Sequence, residues 1–424
     1  MNDTHRAASA AVVTPGWAKH AIFYQIFPDR FAKSDSLAKP GNLEPWGSDP
    51  TEFGYKGGDL IGVREHLDYL QDLGITALYF NPIFQSASNH RYHTHDYYHI
   101  DPLLGGDEAF DVLLADCRRR GVRIVLDGVF NHASRGFFPF NDVLENGPSS
   151  PWIDWFTISK HPTNAYDLDH PPGYQAWAGL HALPKLNTDN PQVREYLMQV
   201  GEYWLNKGID GWRLDVPCEI KSESFWQEFR QRTKAINPEA YIVGEVWGDS
   251  RQWLQGDQFD GVMNYLFAEA VIAFSAGHRV RPETVEGRAY TPWPGIDGRT
   301  YANKVDQLLS LYPWDIQLTQ FNMLDSHDTS RFISIAGEDR ASVQIGTLLL
   351  FTFPGAPSLY YGDEIGLTGA LPPDKWARKA FPWDRPQHWD LEILALHKKL
   401  ITLRRSHPAL RTGTYTTLHA DSDS

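Results

Sequence analysis

A chain of 424 residues exceeds what one ordinary core supports, and its net charge of −14 disfavours nucleic acid and anionic membrane as partners, suiting a soluble protein with a neutral ligand. Two cysteines, Cys117 in the helical run DVLLADCRRRG and Cys218 just past a strand, make no disulfide framework and read as free, mostly buried thiols. MNDTHRAASAAVV lacks the apolar core of a signal peptide and no run nears the ~20 apolar residues of a membrane helix, so the sequence predicts a cytoplasmic protein.

Residues 1–17 read as a small, polar, disordered tail. AIFYQIFP (Ala21 to Pro28) is β-branched and aromatic and is closed by Pro28, which predicts a first strand. A loop rich in Pro, Gly and Ser runs from Lys33 to Gly58. Val63, Leu67, Leu70 and Leu73 then recur at helical spacing, with Gly74 as the stop. TALYFNP (Thr76 to Pro82) predicts the second strand. After a loop rich in His and Tyr comes a helix from Asp107 to Arg120, ended by Gly121. VRIVLDGVFNH (Val122 to His132) predicts the third strand, nearly all apolar, as a strand covered on both faces should be. Strands alternating with helices imply parallel pairing.

From Ala133 to Lys185 the alternation lapses into Pro, Gly, Trp and Asp. So long an excursion within a compact domain predicts a small inserted subdomain, residues 133–185, above a barrel mouth. Asn190–Pro191 then offers a cap with proline at the first helical position, and Gly208 a stop. Strands follow at Gly211–Val216, Tyr241–Val246, Gly261–Tyr265, Gln320–Leu324 and Pro357–Asp363, with helices at Ser222–Ile236 and Asp390–Arg405. Eight strands with helices between them predict an α/β fold, a (β/α)8 TIM barrel over residues 18–132 and 186–408 with its chemistry at the C-terminal strand ends. Residues 409–424 hold one strand-like piece, TYTTLHA, expected as the stub of a truncated C-terminal β-domain or as a strand on the barrel itself.

Polar residues collect past those strand ends. Asp127, Asn131 and His132 follow the third strand, and Arg213 and Asp215 share one face of the fourth, opposite Trp212, Leu214 and Val216. Glu245 and Trp247 follow the fifth, and His327 and Asp328 the seventh. Any one of these suits a satisfied polar group or a structural ion pair; three carboxylates converging on one rim are costly and mark chemistry. No cluster has the Cys/His spacing of zinc, and no Gly-rich loop opens a helix as phosphate binding requires. Two carboxylates facing across a neutral substrate suit glycoside cleavage, with retention demanding a separation of about 5 Å. Arg213 is expected to keep Asp215 ionised as nucleophile, and the apolar setting beside Trp247 to keep Glu245 protonated as acid. Tyr92, Trp177 and Trp247 suit stacking on sugar faces, or simple packing.

DGVFNH (Asp127 to His132), GWRLDV (Gly211 to Val216), GEVW (Gly244 to Trp247) and LDSHD (Leu324 to Asp328) occur in the order of the four motifs of the α-amylase superfamily, glycoside hydrolase family 13, which the sequence closely resembles from about Trp17 to Leu410. The resemblance implies Asp215 as nucleophile, Glu245 as general acid/base and Asp328 as the carboxylate that holds sugar hydroxyls in the transition state. It implies Arg213 as partner of the nucleophile, His132 and His327 as sugar ligands, Tyr92 as the ring beneath the sugar, and a chiefly structural Asp127. LPKLN (Leu183 to Asn187) and SNHRYHTHDYYHIDP (Ser88 to Pro102) are similar to the neopullulanase, cyclomaltodextrinase and maltogenic amylase group. YIVGEVWGDSRQWLQGD and LDSHDTSRF resemble maltodextrin glucosidases, with Arg331 and Trp247 as candidate substrate contacts.

The resemblance implies hydrolysis of α-1,4 and some α-1,6 bonds in maltodextrins, cyclodextrins or pullulan. The sequence shows no N-terminal β-sandwich of the kind that builds that group's dimer, which tips the expectation to a monomer. It reads AKSDSLAK (Ala32 to Lys39) where an acidic calcium loop often follows PDRF, which weakens the case for calcium; no other cofactor is expected. His93 stands where the group often has Asp. Two other functions fit the same residues. One is a transglycosylase or sugar isomerase such as a trehalose synthase, marked by longer oligosaccharides or trehalose from maltotriose. The other is a non-catalytic glucan-binding protein, against which all three carboxylates argue.

Overall fold

The computed structural model describes residues 12–422. Eight strands form one parallel sheet: β1 (Phe23–Ile26), β2 (Ala77–Phe80), β3 (Arg123–Gly128), β4 (Gly211–Leu214), β5 (Tyr241–Gly244), β6 (Gly261–Val262), β7 (Phe321–Asn322) and β8 (Ala356–Tyr360). Neighbours run β6-β5-β4-β3-β2-β1-β8-β7, and a parallel bridge between Met263 and Phe321 links the two ends. The result is the expected (β/α)8 barrel. Nearly every residue of these strands is buried, because helices cover the outside while side chains fill the inside.

Seven strands lie inside their predicted runs, β8 begins one residue early at Ala356, and each strand stops short of the end of its run. β3 ends at Gly128, where a Cβ would meet the Phe130 ring at 2.9 Å, and Val129 to His132 leave the sheet to carry Asn131 and His132 into the mouth. A hydrophobic run marks where a chain is buried, and ladder pairing ends earlier.

Helix punctuation follows the sequence closely. Asn190 Oδ1 accepts the Gln192 and Val193 amides and starts the helix Pro191–Lys207, which Gly208 ends at φ 110°. The predicted helix through Val63 and Leu73 is two, Leu60–Glu65 and Leu67–Leu73, broken at His66, whose Nδ1 lies 2.7 Å from Gly62 O. The helix predicted from Ser222 to Ile236 begins late, because Ser224, at φ 54°, holds its start back to Phe225.

The His- and Tyr-rich loop holds an unforeseen antiparallel pair, Phe84–Ser86 with Thr94–Ile100. Its register shifts between each pair of residues, which erases the alternation that identifies a strand. The stretch 133–185 holds a helix, Phe138–Asn146, and bridges Ile158–Tyr174 and Ala176–Pro184, while bridges His132–Lys185 and Phe156–Leu186 tie it to the residues that flank it.

Both ends differ from expectation. Trp17, assigned to a disordered tail, packs its ring 5.9 Å from both Phe23 (tilted) and Tyr241 (edge-on), and Thr14 is buried; residues 1–11 of that expectation lie outside the described residues. TYTTLHA forms no strand. It lies against the barrel, with the Tyr415 ring 5.6 Å from Phe353 and, just beyond, the Arg299 amide donating to Asp421 O at 3.0 Å. Both cysteines are free; Cys117 is buried, which pushes its thiol up to about 12, and Cys218 is half-buried. Among the described residues no helix is long and apolar enough to cross a membrane.

Candidate active site

Parallel register places the charged residues together. Arg213 in β4 lies level with Asp127 in β3 and Val243 in β5. The ladder carries on past the strands, as the Asp215 amide donates to Gly128 O (3.1 Å) and the Glu245 amide to Leu214 O (2.9 Å). Asp215 and Glu245 therefore project from adjacent strand ends at the same mouth of the barrel.

One buried guanidinium binds three carboxylates. Arg213 Nη1 donates to Asp127 Oδ1 (2.9 Å) and Asp215 Oδ1 (2.9 Å), while Nη2 stands 2.9 Å from Glu245 Oε2. Arg213 is 1% exposed, so its charge acts with little solvent screening. Glu245 Oε2 also accepts the Val216 amide at 3.1 Å, and Oε1 accepts the Trp247 indole N–H at 3.2 Å. Trp247 in turn lies flat on Tyr265, centroids 3.7 Å apart, so the ring expected at a sugar face also orients the acid.

The electrostatics correct one expectation. Arg213 was to hold Asp215 ionised, yet burial outweighs it and pushes the Asp215 carboxyl well above the usual range, because the guanidinium is divided among three acids. Burial also raises Glu245, against the pull of Arg213. The two carboxyls share one cation and repel each other, the pattern of a pair that retains a proton.

His327 and Asp328 complete the rim. Gln25, on β1, donates its amide to Asn81 Oδ1 (3.0 Å), which orients it to donate also to His327 Nδ1 (2.9 Å). The His327 proton therefore sits on Nε2, 2.9 Å from Asp328 Oδ2 and 2.7 Å from the Tyr92 hydroxyl. Tyr92 lies parallel to the imidazole (5.4 Å, 5°) and donates to Asp127 Oδ2 at 2.9 Å, as Tyr79 does at 2.7 Å. Burial works against charge on Asp328, but His327 and then Arg378 overcome it and hold the carboxylate well below its ordinary range.

His132 stacks on Trp177 (5.2 Å), and its buried Nε2 has no protein partner; burial pushes the ring down to about 3. A neutral imidazole with a free nitrogen is ready to bond a sugar hydroxyl. Arg331 does not join this group. It is fully buried, donates to Asp363 Oδ1 at 2.8 Å and stacks over Tyr360 and Tyr361. The arginine that reaches the rim is Arg378, with Nη2 at 2.9 Å from Asp328 Oδ1. Sequence reasoning missed it, since DKWARKAF has no strand-end position to flag it.

The loop at Ala32 to Lys39, where the sequence weakens the case for calcium, carries an ammonium against a carboxylate. Lys39 Nζ, 9% exposed, stands 3.1 Å from Asp59 Oδ2 and donates to Leu103 O at 2.5 Å, while Asp59 also accepts the Ser34 and Gly62 amides. Calcium takes about six to eight oxygens and no ammonium, so these residues do not fit it. Among the described residues, no group of three or more His, Cys, Asp or Glu is placed to hold a metal.

A (β/α)8 barrel with three carboxylates held by one arginine at its mouth, two of them from adjacent strand ends, and a fourth beside a histidine defines a glycoside hydrolase of the two-carboxylate type. Residues 25–388 match the Alpha amylase, catalytic domain family, and the chain belongs to the α-amylase family. It is 45% identical over 412 residues to a cyclomaltodextrinase of a Bacillus species, covering 97% of this chain and 70% of that protein. It is 42% identical to neopullulanase 2 of Thermoactinomyces vulgaris, covering 97% and 67%. The chain thus spans about two-thirds of the length of these relatives. Among solved structures, the debranching enzyme from Nostoc punctiforme aligns with a TM-score of 0.90 at 60% identity, over 97% of this chain and 85% of that one.

Proposed function

We propose that the protein is a retaining α-glucan hydrolase. The one proton that the pair retains lies on Glu245 in the reacting form: ionised Asp215 attacks the anomeric carbon, Glu245 protonates the departing glycosidic oxygen, and a covalent glycosyl–Asp215 ester forms as the C–O bond breaks. Glu245 then takes a proton from the water that releases the sugar with its original configuration. Asp328, kept ionised by His327 and Arg378, accepts hydroxyls of the sugar as it flattens, His132 and His327 supply further bonds, and Tyr92 lies beneath the ring.

The carrying observation is the Arg213 guanidinium, which ties Asp215 and Glu245 to one small volume at the barrel mouth. The names of the relatives point to α-1,4 bonds of maltodextrins and cyclodextrins and to pullulan as substrates, with α-1,6 cleavage as in debranching. The reading places the enzyme in the cytoplasm. No step is assigned to a metal, because Lys39 serves the loop at Asp59.

Asp215→Asn and Glu245→Gln test it on maltotriose, β-cyclodextrin, pullulan and starch with products identified. Turnover should fall by at least about 1,000-fold in both. Near-normal rates in either variant overturn the assignment, and longer oligosaccharides or trehalose as main products would make transfer or isomerisation the reaction.

A further inference from the structure

The backbone just past Asp215 is the most unusual in the site. Val216 takes φ 33° and ψ 52°, the left-handed region that a β-branched residue avoids and that a following proline disfavours further. Its neighbours hold it there. The Asp215 amide is tied to Gly128 O at 3.1 Å, and Pro217, opening a short 3-10 turn, has its carbonyl bound by the Trp226 indole at 3.0 Å. Gly244 leaves room for the proline ring, since a Cβ there would stand 3.3 Å from Pro217 Cγ. Strain held this firmly beside reacting groups points to a use.

The use is an aimed N–H. The Val216 amide reaches Glu245 Oε2 at 3.1 Å, and the other group near that oxygen is Arg213 Nη2 at 2.9 Å. A proton on Oε2 would turn toward the positive guanidinium and weaken the bond that this oxygen accepts from the Val216 amide, so Oε2 is the poor place for it. Oε1 meets one donor, the Trp247 indole at 3.2 Å, which leaves it able to carry a proton and still accept that bond.

We infer that Val216 is a positioning residue for the acid/base: its left-handed backbone reserves Glu245 Oε2 as a permanent acceptor and makes Oε1 the oxygen that delivers the proton. The inference rests on Glu245 being the acid/base. When the C–O bond breaks, the Oε1 proton passes to the glycosidic oxygen, and the new carboxylate charge is met by the Val216 N–H and Arg213. When water attacks, its proton returns to Oε1 as its oxygen bonds the anomeric carbon.

The test compares kcat/KM, which reports bond cleavage, on maltotriose and on α-glucosyl fluoride, whose leaving group needs little protonation. Replacing the Val216 amide with an ester (2-hydroxy-3-methylbutanoate at that position) removes only the N–H. The expected loss is about tenfold or more on maltotriose, small on the fluoride, with the basic limb of the maltotriose pH profile moved to higher pH, because the carboxylate has lost a donor. Val216→Gly permits the left-handed backbone without enforcing it. It should show the same substrate-dependent loss at smaller size, and serves if the ester chain does not fold. Equal losses on both substrates, or none on either, overturn the inference. Glu245→Gln acting normally on maltotriose would instead remove the assignment beneath it.

Discussion

Arg378 Nη2 stands 2.9 Å from Asp328 Oδ1 while its Nε donates to the carbonyl of His327 at 2.9 Å, so a residue some 50 positions away grips both the third carboxylate and the backbone that presents it. Arg378→Met should lower kcat/KM on maltotriose by about 10- to 100-fold, the worth of one charge-assisted bond. The pH dependence has a definite sign. A depressed carboxyl stabilises the fold above its unfolded value, and that stability is lost as pH falls through the depressed one. The Tm penalty of Arg378→Met should accordingly be larger at pH 7 than at pH 3, as calorimetry will show.

Asp215 works in the opposite direction. Burial raises its carboxyl and that of Glu245 in the folded state, so the folded pair keeps a proton that unfolded chain releases, and stability declines as pH rises above the ordinary carboxylate value. Asp215→Asn should therefore melt higher than the unmodified protein at pH 7.5, with the gap closing toward pH 4. An equal or lower Tm at pH 7.5 would mean that Arg213 offsets the burial after all.

Arg331 supports the fold below the site. Its guanidinium is buried against Asp363, Tyr360 and Tyr361, so Arg331→Met leaves a carboxylate uncompensated and should cost about 3–5 kcal/mol of stability. KM for maltotriose should stay near its normal value. Loss of affinity without loss of stability would return Arg331 to the substrate.

Lys39 makes a metal-free account of its loop testable. EDTA and millimolar calcium should both leave Tm unmoved, whereas Lys39→Met should lower it by stranding Asp59 and the Leu103 carbonyl. A calcium-dependent rise in the unmodified protein would contradict this.

Strands and the carboxylates at their ends were legible because both obey local rules: apolar runs ending in charged residues marked β3, β4 and β5 with Asp127, Asp215 and Glu245, and the Asn190 cap and Gly208 stop fixed a helix to the residue. What stayed hidden is set by distance. Arg378 reaches Asp328 across a loop with no periodicity, and Arg331, near in sequence, turns toward Asp363. The pair Phe84–Ser86 and Thr94–Ile100 escaped because its bulges scramble the alternation. That Arg213 serves three acids, and so cannot hold Asp215 ionised alone, emerges only when β3, β4 and β5 lie in register.

The central claim is tested most directly by trapping the intermediate. A 5-fluoro-α-glucosyl fluoride slows release of the covalent sugar, and mass spectrometry of the digested enzyme locates the bond it leaves. The account predicts one added sugar per chain, on the peptide containing Asp215 and lost when Asp215 is Asn. A label on another residue, or turnover to inverted product with no label at all, would contradict it.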